Sequence, residues 1–319
     1  HADEADRGRR LGPRGRRPHG RPGGRRDRPG SRRRHEGGRH QGALRRHRGH
    51  PPDGGRGVRH HARAGAGLRR RPMLGLGLDG WNRGWVLARL GEGTEPRVDC
   101  IARIEVLDAI LAELGSGPRR CLIDIPIGLP LHGERPVDAA AKAALGKAAS
   151  SVFPIPPRSV FDALDYEEGK QLAQAETGRK ISKQTWQIFP KIREVDLWLR
   201  RRRPQPAPLR ESHPELVFRG LAQMAGVDPQ TLGKKASDTG ARRRIEVLAK
   251  HGVDAEPVLR KFAEAEGPVP KVDDILDALG LAAVARLPDT ALATVPETPE
   301  IDPLGLPMEM VVPAILLED

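Results

Sequence analysis

The run Leu74-Gly75-Leu76-Gly77-Leu78-Asp79-Gly80 decides the fold of this chain. Leucine alternates with glycine, so in a strand Leu74, Leu76 and Leu78 share one face while Gly75, Gly77 and Asp79 share the other. Glycine on a strand face lets another backbone approach closely, and Asp79 would stand beside that approach. The same letters match the G-x-G-x-x-G dinucleotide pattern, which needs a strand before it and a helix after it. Here Arg-rich sequence precedes it. The turn-forming Gly80-Trp81-Asn82-Arg83-Gly84 then leads into a second apolar run at residues 85–90, so the pair reads as a β-hairpin.

Outward from the hairpin, residues 97–101 are a third strand. Ile104, Leu107, Leu111 and Leu114 have helical spacing that Gly115 ends. Residues 121–125 form a continuous apolar run with one acid in it, the pattern of a central strand, which Pro126 terminates. Residues 135–203 read as mainly helical and polar, broken at Phe153-Pro154-Ile155-Pro156-Pro157. A strand is expected at 209–213 and helices at 242–250 and 271–287. Beyond Pro288 lies a Pro-rich tail with a last apolar stretch at 308–312. This order predicts an α/β fold: a mixed sheet of three antiparallel strands followed by parallel ones, helices on its faces, and a helical insertion over about residues 131–207.

Upstream of Met73 the composition changes. Residues 1–72 hold 23 Arg, no Lys and six acids, a net charge of +17, whereas residues 73–319 carry 32 basic and 36 acidic side chains, a net −4. Apart from alanine, the early apolar side chains are Leu11, Leu44, Val58 and Leu68. So few cannot offset chain entropy, and disorder is expected there. Translation of GC-rich DNA upstream of a start at Met73 would produce such a composition; a basic arm tracking nucleic-acid phosphates is the other reading. Residues 73–319 suffice for one domain. No signal-peptide pattern and no membrane-length apolar run is present, so a cytoplasmic protein is expected. Cys100 and Cys121, both in apolar strand-like contexts, are expected to be buried hydrophobes rather than zinc ligands.

Three apolar segments each carry an acid without a local basic partner. Asp79 ends the first strand. Asp124 lies in Leu122-Ile123-Asp124-Ile125, where an unpaired carboxylate would be costly. Asp273, Asp274 and Asp277 lie in Lys271-Val-Asp-Asp-Ile-Leu-Asp-Ala-Leu-Gly280. There Asp273 and Asp274 can complement the helix dipole, while Asp277 is set among Ile275, Leu276, Ala278, Leu279 and Leu281 and calls for a partner. Carboxylate clusters suit Mg²⁺ or Mn²⁺, and such sites serve phosphodiester cleavage. Arg158, Lys183, Gln184 and Lys191 are candidates for holding a phosphate backbone or another anion. His213, between Glu211 and Glu215, could be a general acid/base, a ligand, or a strand-end histidine with a packing role. Glu215 is a further candidate ligand.

The strand order and the acids resemble the ribonuclease H-like superfamily, and Asp274-x-x-Asp277-Ala-Leu is similar to the last catalytic helix of RuvC-like junction resolvases. More closely, residues 73–319 resemble a bacterial and archaeal domain family of unknown function described as predicted ribonuclease H-like nucleases. The matching runs are Gly77-Leu-Asp-Gly-Trp-Asn-Arg-Gly-Trp-Val86, Ile123-Asp-Ile-Pro-Ile-Gly-Leu-Pro130, Ser150-Ser-Val-Phe153, Pro190-Lys-Ile-Arg-Glu-Val-Asp196, Glu211-Ser-His-Pro-Glu215, Lys234-Lys235, Asp273-Asp-Ile-Leu-Asp-Ala278 and Gly305-Leu-Pro-Met-Glu-Met310. Lys142 and Lys147 stand where that pattern has Arg, and Ala149 precedes the serine pair where it has a basic residue, which weakens bidentate phosphate contacts. The resemblance implies a metal-dependent nuclease acting on nucleic acid, with Asp79, Asp124, Asp274 and Asp277 as ligands of Mg²⁺ or Mn²⁺. Two other readings stand beside it. One is a non-catalytic binding module, favoured by the near-neutral charge of residues 73–319. The other is an actin-like phosphotransferase, for which the first hairpin lacks the hydroxyl.

Overall fold

The computed structural model describes residues 73–202 and 209–318, and the disorder expected for residues 1–72 lies outside them. Strand β1 (Leu74–Trp81) turns through Asn82-Arg83 into β2 (Gly84–Leu90), and β3 (Arg97–Ile101) pairs antiparallel with β2. Helix α1 (Val106–Glu113) then crosses to β4 (Arg119–Ile123), which runs parallel to β1. After α2 (Pro136–Leu145), α3 (Tyr166–Thr177) and α4 (Lys183–Arg201), β5 (Leu209–Glu211) adds parallel to β4. The sheet order β3-β2-β1-β4-β5, with helices on its faces, is a mixed α/β architecture compatible with a ribonuclease H-like fold.

Period-two alternation sorts the side chains between two cores. Leu76, Leu78, Trp85, Leu87, Cys121 and Ile123 pack with Leu107 and Leu111 of α1 and with Phe189, Ile192 and Trp198 of α4. Val86, Ala88, Leu90, Val98 and Leu122 pack on the other side against α5 (Pro214–Met224), α6 (Asp238–Lys250) and α8 (Val272–Ala285). A further helix, α7 (Glu256–Ala263), precedes α8. Helix α8 is rich in Ala and Leu, carries Asp273 and Asp274 in its first turn, and is buried from Ile275 onward. That is the composition of a core helix capped by favourable charge.

The glycine face of β1 receives α8. A methyl added at Gly75 would lie 2.1 Å from the Ala282 carbonyl oxygen, and one at Gly77 would lie 2.1 Å from that of Ala278. These two positions set how closely helix and sheet approach.

Several expectations need correction. Strand β4 ends at Ile123, so Asp124 follows the strand instead of lying within it, and it is half-buried. Strand β5 ends at Glu211: Pro214, whose fixed φ suits a first helical turn, starts α5 with His213 as its cap. Glu211 and Glu215 therefore do not share an extended segment. Cys121 is buried as expected, but Cys100 is exposed, on the edge strand β3 of the sheet. The Pro-rich tail forms a two-stranded sheet, β6 (Leu292–Ile301) with β7 (Pro307–Pro313), whose register shifts between Val295 and Glu300 around Pro296 and Pro299. Prolines are tolerated in such an edge pair. The hairpin is fixed beside β5 by the Ser212 hydroxyl, which donates to the Val311 carbonyl at 2.7 Å, and by the Arg210–Glu309 ion pair at 2.7 Å.

Candidate functional site

Because α8 lies against Gly75 and Gly77, the next residue on that face, Asp79, comes within electrostatic reach of Asp277 on the helix. Asp124 joins them because its backbone N–H donates to the Leu78 carbonyl at 2.9 Å, extending the β1–β4 ladder one residue past β4. Asp79 and Asp277 are 6% and 0% exposed. Burial raises the Asp79 pKa well above the carboxylate range, with Asp124 and then Asp277 adding to it. Asp277 is pushed up to about 7, again by burial first, against the pull of Lys235 and with Asp124 raising it further. Asp274 stands at the helix start, half-buried, accepting from the Lys271 N–H at 3.1 Å. Its pKa is raised by burial, in opposition to that hydrogen bond.

The cation among these acids is Lys235, which the sequence reading did not assign to the site. Its ammonium donates to Asp277 Oδ2 at 2.8 Å, while Asp277 Oδ1 is buried without a partner. Burial disfavours the Lys235 charge, but Asp277, Asp124 and Asp79 more than offset that and raise its pKa. The residue sits just ahead of Ser237, the cap of α6. Its one signal was the adjacent Lys234-Lys235 pair; nothing local links it to an acid in α8.

Lys191 reaches the neighbourhood as well. It donates to the Gly84 carbonyl, lies 4.4 Å from the Trp85 ring centroid, and contacts the space beside Gly80. Burial lowers its pKa, while Glu194, Asp79 and Asp274 pull it upward. Arg158 is held elsewhere, bonded to Asp196 at 2.9 and 3.0 Å and to Asp302 at 2.8 Å. Lys183 and Gln184 are exposed at the start of α4.

His213 and Glu215 line a cavity of about 260 Å³ that Asp124 and Lys235 also border. His213 Nδ1 accepts from the Glu215 N–H at 3.2 Å, and Nε2 lies 3.4 Å from the Ser151 carbonyl. Glu215 pairs with the buried Arg244 at 2.8 Å. Beneath them is a second network that the sequence reading missed. Buried Arg135 bonds Asp138 at 2.9 Å, Glu211, and the Ile127 carbonyl at 2.9 Å. Burial raises Glu211 to about 7 despite Arg135 beside it. Arg135 has one local partner, Asp138 three residues on, but Glu211 and the Glu215 partner of Arg244 come from distant elements and leave no local signature.

Whether a divalent ion suits the acid cluster can be judged from the donors. They are all carboxylate oxygens, one of them buried and orphaned, which is the chemistry of a hard cation. Among the described residues, however, no three His, Cys, Asp or Glu side chains are already gathered as an ion's shell. The cation paired with the cluster is Lys235, through Asp277. Among the described residues no helix is long and apolar enough to cross a membrane.

A family model matches residues 77–301, and its description reads "Protein of unknown function (DUF429)". No curated protein and no solved structure gives a significant match.

Proposed function

The chain belongs to this family, and we propose, from the acid cluster, that it is a Mg²⁺- or Mn²⁺-dependent nuclease with a ribonuclease H-like fold. The observation that carries the reading is that Asp79, Asp124 and Asp277, from three separate elements, lie within electrostatic reach of one another, with Asp277 Oδ1 buried and without a partner. The charge of Asp124 raises the pKa of both Asp79 and Asp277, an arrangement that stability alone does not require. These three would hold the ion, with Asp274 at the rim. When bound, the ion supplies positive charge to phosphate oxygens and lowers the pKa of water.

The chain's own residues have separable tasks. Asp124, more exposed than Asp79 and Asp277, faces the cavity from which substrate would enter. The Lys235 side chain is 43% exposed, so its ammonium can turn from Asp277 toward a phosphate oxygen. Before an ion binds, Asp277, pushed up to about 7 by burial, holds a proton near neutral pH that the ion would displace.

The test is cleavage of mixed single- and double-stranded DNA and RNA with Mg²⁺, Mn²⁺ or EDTA, alongside thermal melts. Cleavage with either metal, its loss in EDTA and in Asp124→Asn, and a metal-induced rise in Tm are expected. The Lys235–Asp277 pair also favours a second reading, a non-catalytic binding module in which Lys235 holds Asp277 in place of a metal ion. Absence of both cleavage and metal response would replace the first reading with the second.

A further inference from the structure

The cavity beside the acid cluster has a wall that phosphodiester chemistry does not use. Apart from Asp124 and Lys235, which it shares with the cluster, its lining includes Val152, Phe153, Ile155, Ile188 and Met310. The polar side chains around it are largely engaged: Glu211 with Arg135, Glu215 with Arg244, and His213 Nδ1 with the Glu215 N–H. What remains facing the space is apolar surface with an aromatic ring at its edge.

Phe153 is 38% exposed. Leaving a large aromatic in water forfeits burial free energy, and the chain holds it there. Pro154, Pro156 and Pro157 stiffen the segment, and the Ile155 N–H donates to Asp138 Oδ2 at 2.8 Å. Asp138 is in turn fixed by Arg135, which also grips Glu211 at the end of β5. This buried ion network anchors the aromatic wall to the sheet that carries the acids.

Size and charge narrow the occupant. About 260 Å³ falls below the roughly 300–1,000 Å³ of sites for drug-sized ligands, which suits one planar ring system and excludes a duplex. Residues 73–319 carry a net −4, so recognition by extended phosphate tracking is disfavoured there. The ammonium of Lys235 lies where the apolar wall meets the acids, the polarity a phosphate joined to a base would match.

Resting on the nuclease reading for the phosphate half, we propose that this cavity receives the base of a single-stranded or flipped-out nucleotide, stacked on Phe153, while its phosphate lies at the acid cluster. Bases stack on aromatic side chains without strong sequence preference, and enzymes that act on extruded nucleotides seat them in such pockets.

The experiment measures binding of the four nucleoside 5′-monophosphates and of ribose 5-phosphate to the full chain by calorimetry with Ca²⁺ present. The monophosphates should bind about tenfold tighter than ribose 5-phosphate, the margin expected of one base–aromatic stack. Phe153→Ala should erase that margin and leave ribose 5-phosphate binding unchanged, which also reports an intact fold. Ile188→Trp, which adds bulk at another lining position of the cavity, should do the same. A wild-type chain without the margin, or a margin that survives both variants, overturns the proposal. Cleavage activity without the margin would leave the nuclease reading standing and remove the base site. The margin without cleavage would support the base site and remove the nuclease reading.

Discussion

Asp277 has apolar neighbours on both sides in sequence, no exposure, and one oxygen without a partner. Its pKa of about 7 gives a pH dependence with a definite sign. A carboxyl whose folded pKa exceeds its unfolded value, about 3.9, favours the folded state when protonated. The penalty is absent below about pH 4, grows as pH rises, and is complete above about pH 7. In EDTA, Asp277→Asn should therefore melt higher than wild type at about pH 8, and the gain should vanish at about pH 4. Mg²⁺ should raise the wild-type Tm through linkage and leave that of the variant unmoved. If the value of Asp277 lies in its pairing with Lys235, the variant melts lower at about pH 8 and metal changes neither protein.

At the scale of elements, the contact that makes the site is β1 against α8. It depends on two positions without a side chain, since a methyl at Gly77 would also fall 2.4 Å from the Ala282 backbone nitrogen. Backbone on both partners cannot yield as a flexible side chain can. Gly77→Ala should cost about 3 kcal/mol or more, read as a shift in urea midpoint, and should abolish the Mg²⁺-induced rise in Tm by separating Asp79 from Asp277. Gly117→Ala, where an added methyl meets nothing within 4 Å, should stay within about 0.5 kcal/mol of wild type. Equal costs at the two glycines would show that the close approach does not hold the site together.

Across the whole chain, the charge is split: +17 over residues 1–72 against −4 over residues 73–319. Nonspecific attraction to nucleic acid should therefore belong to the first part. Single-strand affinity of the full chain should fall steeply with salt. A chain beginning at Met73 should show a slope equivalent to one or two phosphates, with each contributing about −0.7 on logarithmic axes. Anisotropy titrations across a range of salt measure both slopes, and equal slopes would mean that the binding surface lies within residues 73–319.

The sequence by itself determined the antiparallel β1–β2–β3 start, β4 as a parallel central strand, α8 as a core helix, and the acids Asp79, Asp124 and Asp277 as residues short of a partner. Each is written in local periodicity, in turn residues, or in a charge at odds with its neighbours. It also predicted that the glycine face of β1 would admit another element, without saying which one. Tertiary structure alone decided that the element is α8, that Lys235 brings the cation to Asp277, and that Arg135 and Arg244 are buried against Glu211 and Glu215. Those pairs join residues 29 to 76 positions apart, and Coulomb attraction depends on distance in space, which local pattern does not encode. The β6–β7 sheet escaped for the same reason: its prolines read locally as tail, and its strand character comes from packing beside β5 and α5.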